Sequence, residues 1–191
     1  YDQFYSTNGW DLIFIDGVSQ AELNYELDRW DTNGLSHVWV QVPALTNNHF
    51  IWAYWGLDTM TGAPQVYTTN GAAWNANFRG VWHLGAADGS GNIPDSTANR
   101  FAGANTESVT LAGMVGLGRS LDGDNDKILV SSTLGVSGGG ARTLSGWAKA
   151  DTTPQNAWTT VFGQNYNSGT EDHHYFDIEL DGTYYCLHVY G

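Results

Sequence analysis

Acidic side chains crowd one short stretch near the end of the chain, Glu171-Asp172-His173-His174-Tyr175-Phe176-Asp177-Ile178-Glu179-Leu180-Asp181. Read as a β-strand, this stretch turns Phe176, Ile178 and Leu180 toward a core and places Tyr175, Asp177, Glu179 and Asp181 on the opposite face. Neighbours on one face of a strand lie about 6.5–7 Å apart. Leaning side chains bring that close to the ~5–5.5 Å between the two carboxyl groups of a retaining glycosidase. Asp177 and Glu179 are therefore the residues on which glycosidic hydrolysis would rest. The same alternation also arises, with no catalysis, on a face that is solvated or lines a ligand, and that is the leading reading.

A second oxygen-rich stretch is Asp122-Gly123-Asp124-Asn125-Asp126, of the kind a hard cation such as calcium prefers. It is not an EF-hand: a loop opening at Asp122 has Lys127 where glycine is required and Thr133 where glutamate is required. The favoured reading is a hairpin turn between Leu121 and Ile128, for which Asp, Asn and Gly are the usual formers, with calcium the alternative. Of the six histidines, only His173 and His174 are close in sequence. Adjacent strand residues point to opposite faces, so a zinc shared by these two is not expected. The single cysteine, Cys186, excludes an internal disulfide framework and any C-x-x-C metal site. No phosphate-binding glycine loop of the G-x-x-x-x-G-K-[ST] or G-x-G-x-x-G kind occurs, which leaves nucleotide chemistry without a carrier.

Aromatic rings are the remaining chemical signal. Sugar C–H faces stack on Trp and Tyr, and such sites combine one or two rings with a few amides and carboxylates. Thr152-Thr153-Pro154-Gln155-Asn156-Ala157-Trp158 and Gln164-Asn165-Tyr166-Asn167-Ser168 offer that mixture. Trp158, Tyr166, Tyr175, Asp177 and Glu179 are thus the candidate ligand-binding residues. The plainer alternative is that these rings only cover the edge of a sheet.

The elements that must position them are strands. Period-two alternation recurs in Glu22-Leu23-Asn24-Tyr25-Glu26-Leu27-Asp28 and in Val38-Trp39-Val40-Gln41-Val42, ended by Pro43. Phe50-Ile51-Trp52-Ala53-Tyr54-Trp55 is apolar on both faces and reads as a central strand. Asp16-Gly17 and Thr32-Asn33-Gly34 between these runs are turn signals. Residues 57–78 read as a connector, with a single helical turn over Ala72–Phe78 capped by Asn70 and a boundary near residue 75. Strand patterns resume at 80–84, 108–111, 119–122, 127–130, 142–149, 161–163, 175–180 and 184–190. No 3.6-residue stripe supports a helix longer than about two turns. The expected class is all-β, antiparallel, in two parts: 1–74 and 75–191. Both ends fall abruptly within the pattern, so the chain is expected to be cut from a longer protein.

The net charge of −13, from 20 acidic and 7 basic residues in 191, disfavours nucleic acid and anionic membranes as partners, because phosphate recognition needs clustered cations. No apolar run reaches the ~20 residues that span a bilayer. Aromatics at 14% are too many for a disordered acidic tail, so a packed body is expected.

Two resemblances follow from the motifs. Residues 9–56 resemble an uncharacterised domain of secreted prokaryotic proteins, carried by Asp11-Leu12-Ile13-Phe14, Leu23–Asp31, Val38-Trp39-Val40-Gln41-Val42-Pro43-Ala44-Leu45 and Ile51-Trp52-Ala53-Tyr54-Trp55-Gly56. The chain departs from that family at Ile13, Asp28 and Trp55, and lacks its opening strand. Residues 80–190 resemble the concanavalin A-like, laminin-G-type β-sandwich, or jelly roll. This second likeness is carried by Gly80-Val81-Trp82-His83-Leu84, Asp95-Ser96-Thr97-Ala98-Asn99, Gly118-Arg119-Ser120-Leu121-Asp122-Gly123, Asp126-Lys127-Ile128 and Thr143–Lys149. The two families often share a chain, sometimes in polypeptides that also carry a TolQ/ExbB-type proton-channel component.

The likeness implies an extracellular, cell-surface or periplasmic setting and one structural calcium at a loop edge, with Asp95, Asp122 or Asp124 as ligands. Some hydrolases of the sandwich fold carry acids in an order like E-x-D-x-x-E; aligned on Asp177, the outer positions here hold Tyr175 and Leu180, a poor match. The function expected is a non-catalytic, lectin-like recognition module for polysaccharide or a cell-surface glycan. A structural or adhesion spacer contacting other envelope proteins is the first alternative, and a glycoside hydrolase using Asp177 and Glu179 the second.

Overall fold

Short apolar–polar alternations broken by turn residues build short strands, and the chain is all-β with every strand pairing among the described residues antiparallel. Its structure, a computed structural model, describes residues 1–60, 62–132, 134–136, 140–150, 159–167, 173–181 and 184–190, with 165–167, 173–175, 181 and 188–190 described by backbone alone. It divides into two units, Tyr1–Leu134 and Gly135–Gly191.

The first unit contains β1 (Ile13–Asp16), β2 (Glu22–Leu23), β3 (Tyr25–Arg29), β4 (His37–Val40), β5 (Ile51–Tyr54), β6 (Ala104–Thr106), β7 (Val109–Ala112), β8 (Leu117–Ser120) and β9 (Lys127–Leu129). They form a sheet ordered β2-β1-β5 and three two-stranded ribbons, β3-β4, β6-β9 and β7-β8. Leu12, Leu23, Tyr25, Ala73 and Ile93 are buried. Tyr25 organises this core. Its ring meets Phe14 and Tyr67 edge-on at 5.2 and 5.6 Å, and its hydroxyl donates to the Leu12 carbonyl at 2.5 Å. Burial, reinforced by the charges of Glu22 and Asp11, pushes the Tyr25 phenol up to about 12.

Buried carboxylates hold the loops around this core. Asp11 accepts from the backbone N–H groups of Tyr5, Ser6 and Gly56 at 2.9, 3.2 and 2.9 Å, tying the N-terminal loop to the end of β5. Asp95, 2% exposed, accepts from the N–H groups of Val81, Thr97 and Phe101 and from the Thr97 hydroxyl, all at 2.9 Å. This explains why residues 80–84, expected as a strand, do not join a ladder. The Val81 N–H is held by Asp95, and its carbonyl accepts from Ser96 at 2.8 Å.

The division after Leu134 differs from the boundary expected near residue 75. Glu26 on β3 accepts from Trp74 Nε1 and Ser96 Oγ at 2.6 Å each, and lies 3.4 Å from His83 Nε2. Asn70 caps no helical turn; its side chain accepts from Ala72 N at 2.9 Å in a local turn. Gly71 then runs against backbone. Its φ is +89°, and a Cβ there would lie 2.4 Å from the Ala98 nitrogen. Residues expected in separate parts therefore share one packed unit.

The second unit contains β10 (Thr159–Asn167), β11 (His173–Asp181) and β12 (Tyr184–Tyr190) in the order β10-β11-β12, with a bulge between Thr160 and Phe162. Residues 142–149, expected as a strand, pair with none of the described strands. Arg142 donates to Gln164 Oε1 at 3.0 Å and lies over the Phe176 ring at 5.9 Å, and Ala150 N donates to the Tyr185 hydroxyl at 2.9 Å. The described strands of both units form sheets of two or three strands.

Asp95→Ala leaves three backbone N–H groups and one hydroxyl without their acceptor, an expected loss of about 3 kcal/mol or more in unfolding free energy by urea titration. A loss below about 1 kcal/mol would show that water replaces the carboxylate and that the loop does not depend on it.

Candidate functional site

The acidic strand of the second unit is not the open face its alternation suggested. Asp177 is 0% and Glu179 6% exposed, while on the opposite face Leu180 is also buried and Phe176 and Ile178 are half-buried. The expectation of a solvated carboxylate face is thereby corrected. Part of the cause lies across the ladder. Asp177 pairs with Gly163, and a Cβ at Gly163 would lie 2.0 Å from the Asp177 Cβ, so the two backbones close over one another.

The register also separates the expected ligand set. Position 175 pairs with 165, and alternation keeps it with 177 and 179, while position 166 pairs with 174 on the other face. Trp158 lies outside the described residues. Gly163→Ala is expected to force Asp177 to move and to cost about 1–3 kcal/mol in chemical denaturation. An unchanged unfolding midpoint would mean that the close approach of the two strands has slack.

The acids assigned to calcium are not gathered either. Asp95 spends both carboxylate oxygens on the four internal donors described above. Asp122 accepts from Asp124 N at 2.9 Å and Asp126 from Asp122 N at 3.0 Å, an exposed turn in which each carboxylate binds its own backbone. Among the described residues no three His, Cys, Asp or Glu side chains come together as metal ligands would.

What the structure does present is a face of aromatic rings on β5. Phe50-Ile51-Trp52-Ala53-Tyr54-Trp55, expected as a central strand, is an edge strand that pairs, among the described residues, with β1 alone. Tyr54 lies opposite Ile13 and Trp52 opposite Ile15, so these four share one face; Phe14, opposite Ala53 and Leu23, points to the core on the other. Trp52 and Tyr54 are each 50% exposed and Phe50 48%. Along one strand face such rings recur about every 6.5–7 Å.

Phe50 meets Trp52 edge-on at 5.4 Å and 85°. It lies over Gly17, where a Cβ would come 2.2 Å from the ring. The Trp52 indole N–H and the Tyr54 hydroxyl make no hydrogen bond among the described residues. Glu22, the charged residue in register with this face opposite Ile15, is engaged by the Tyr67 hydroxyl. The period-two pattern of aromatics at 50, 52 and 54 was visible in the sequence. That β5 has one neighbour among the described residues was not.

The turn after β1 fixes the end of this face. Gly17 N donates to the Phe50 carbonyl at 2.9 Å. Asp16 accepts from Val18 N at 2.9 Å and Ser19 N at 2.7 Å, and lies 2.8 Å from Nε2 of the buried His49. The N–H groups of Ser19 and Val18, then His49, hold the Asp16 carboxyl down at about 2. At Asp11 burial acts upward but the Tyr5, Gly56 and Ser6 N–H groups outweigh it, and that carboxyl too sits below its ordinary value.

Compared with known proteins, the chain matches no family model, no curated protein and no solved structure.

A depressed folded-state pKa stabilises the fold above the ordinary value of 3.8, and that contribution is lost as pH falls through the folded value near 2. Thermal midpoints are therefore expected to drop between pH 4 and pH 2, with Asp16→Asn flattening the drop. The same acid slope in the variant would take Asp16 out of the account.

Proposed function

We propose that this chain is a non-catalytic recognition module of an extracellular or envelope-exposed protein, and that it binds neutral polysaccharide across the Phe50-Trp52-Tyr54 face. The observation that carries the reading is the exposure of these three rings on one face of an edge strand, 48–50% each. Rings of this kind left in water are an energetic cost unless something covers them, and large apolar patches mark interaction sites.

Aromatic faces stack on the C–H faces of sugar rings, and the indole N–H and phenol of Trp52 and Tyr54 supply hydrogen bonds to sugar hydroxyls. Repetition of rings along the strand suits a ligand that repeats. A chain with 20 acidic and 7 basic residues repels sulfated or uronic polymers, which leaves one that is neutral or carries amino groups as the favoured partner. The extracellular setting rests on the motif resemblances alone.

Retention on insoluble cellulose, xylan and mannan tests this directly. At least one of these is expected to hold the chain, and Trp52→Ala with Tyr54→Ala is expected to weaken retention about tenfold or more. Retention unchanged in the double variant, or none on any of the three in the unmodified chain, overturns the reading and gives the face to the spacer or adhesion alternative.

A further inference from the structure

The bulge in the β3-β4 ribbon opens onto a cleft that no part of the polysaccharide reading uses. Leu27 pairs with Val38 and Arg29 with His37, so Asp28 is the extra residue that the partner strand does not match. Bulges of this kind re-aim a side chain. Asp28 lines a cleft of about 450 Å³ together with Glu26, Arg29, Trp30, His83 and Ser96. That volume lies in the range of small-ligand sites, about 300–1,000 Å³.

Its polar groups are held in place. Burial acts upward on the Glu26 carboxyl, but hydrogen bonds from His83, Ser96 and Trp74 outweigh it and keep the group below its ordinary value, and therefore ionised. The indole of Trp39 donates to Asp28 Oδ2 at 3.4 Å, while Asp28 Oδ1 has no hydrogen-bond partner among the described residues. Trp30 is fixed edge-on by Tyr1 at 5.1 Å and Phe4 at 4.9 Å, and its N–H is spent on the Thr7 carbonyl at 3.0 Å. An aromatic wall, a hydroxyl, an imidazole and fixed carboxylates together make a mixed donor–acceptor lining suited to a polyhydroxylated ring.

Charge narrows the class. Arg29, the one Lys or Arg side chain in the lining, is already paired with Asp31 at 2.5 Å. Glu26 is met by His83, whereas among the described residues no Lys, Arg or His forms an ion pair with Asp28. A ligand that brings its own positive charge satisfies Asp28 Oδ1, whereas a neutral hydroxyl leaves that charge uncompensated.

We propose that this cleft binds one unit of an amino sugar whose unacetylated ammonium group sits against Asp28. This deepens the polysaccharide reading by naming a second subsite and its sugar class, and it rests on that reading only for its biological setting.

The test is a titration of the unmodified chain, by NMR or calorimetry, with glucosamine, N-acetylglucosamine and glucose. Glucosamine is expected to bind at least about tenfold more tightly than the other two. Asp28→Asn, of the same size, is expected to remove that preference, while Trp52→Ala leaves it intact. Equal binding of N-acetylglucosamine, persistence of the preference in Asp28→Asn, or no binding of any of the three overturns the proposal. The ligand series needs no variant and decides the matter even if Asp28→Asn fails to fold. Retention on neutral polysaccharide with no glucosamine binding would sink the cleft alone, and the converse would sink the aromatic face alone.

Discussion

A backbone N–H taken out of water must find an acceptor, and strands of two to five residues supply few. The first unit of this chain meets that requirement with carboxylates. Asp11 gathers three backbone N–H groups, Asp16 two, and Asp95 three along with a hydroxyl. An ionised oxygen accepting from N–H makes hydrogen bonds stronger than neutral ones, so each such aspartate does locally what a longer ladder would do.

Because loops are fixed by buried acids, the aromatic residues are released from some of the packing they would otherwise do. Tyr25 remains at the centre, and Trp39, Trp74 and His83 cluster around Glu26, with Trp39 and His83 stacked at 5.2 Å and 15°. The rings on β5 stay outside. Among the described residues few hydrophobic side chains are buried, while Asp11, Asp16 and Asp95 are buried and hydrogen-bonded, and Trp52 and Tyr54 stay half exposed on a strand that is held nonetheless. Asp16 and Gly17 pin one end of that strand and Asp11 the other, through Phe50 and Gly56.

The all-β class and most strand positions were legible because period-two alternation and turn residues are local signals. Leu23 and Tyr25 are buried as that pattern says. What failed was everything decided by neighbours in space. Residues 80–84 carry a strand pattern, yet their backbone is claimed by Asp95 from fourteen residues away. The boundary near residue 75 looked real because glycine, asparagine and proline cluster there, but Trp74, His83 and Ser96 all converge on Glu26. The aspartate in Pro94-Asp95-Ser96-Thr97 offered a signal that could have been read as an anchor: an Asx-type turn former followed by small hydroxyl residues is a local acceptor before it is a metal ligand.

The two candidate strands illustrate why alternation predicts faces but not which face is inside. In β11 one set of positions is apolar and the other mostly acidic, and hydrophobicity alone assigns the apolar set to the core; β5 is apolar on both faces and was expected to be buried on both. In β5 both faces are exposed, Ile51 at 36% on one and Trp52 and Tyr54 at 50% on the other, with β1 its one neighbour among the described residues. In β11 the acids at 177 and 179 are the better-buried set, with Gly163 making room opposite Asp177. A single strand buries on average whichever side meets the larger body, and that body is assembled from other segments. Composition of the strand fixes the cost of the choice, not the choice itself. Where the cost is high, as with rings left in water, the exposed face is the place to look for a ligand.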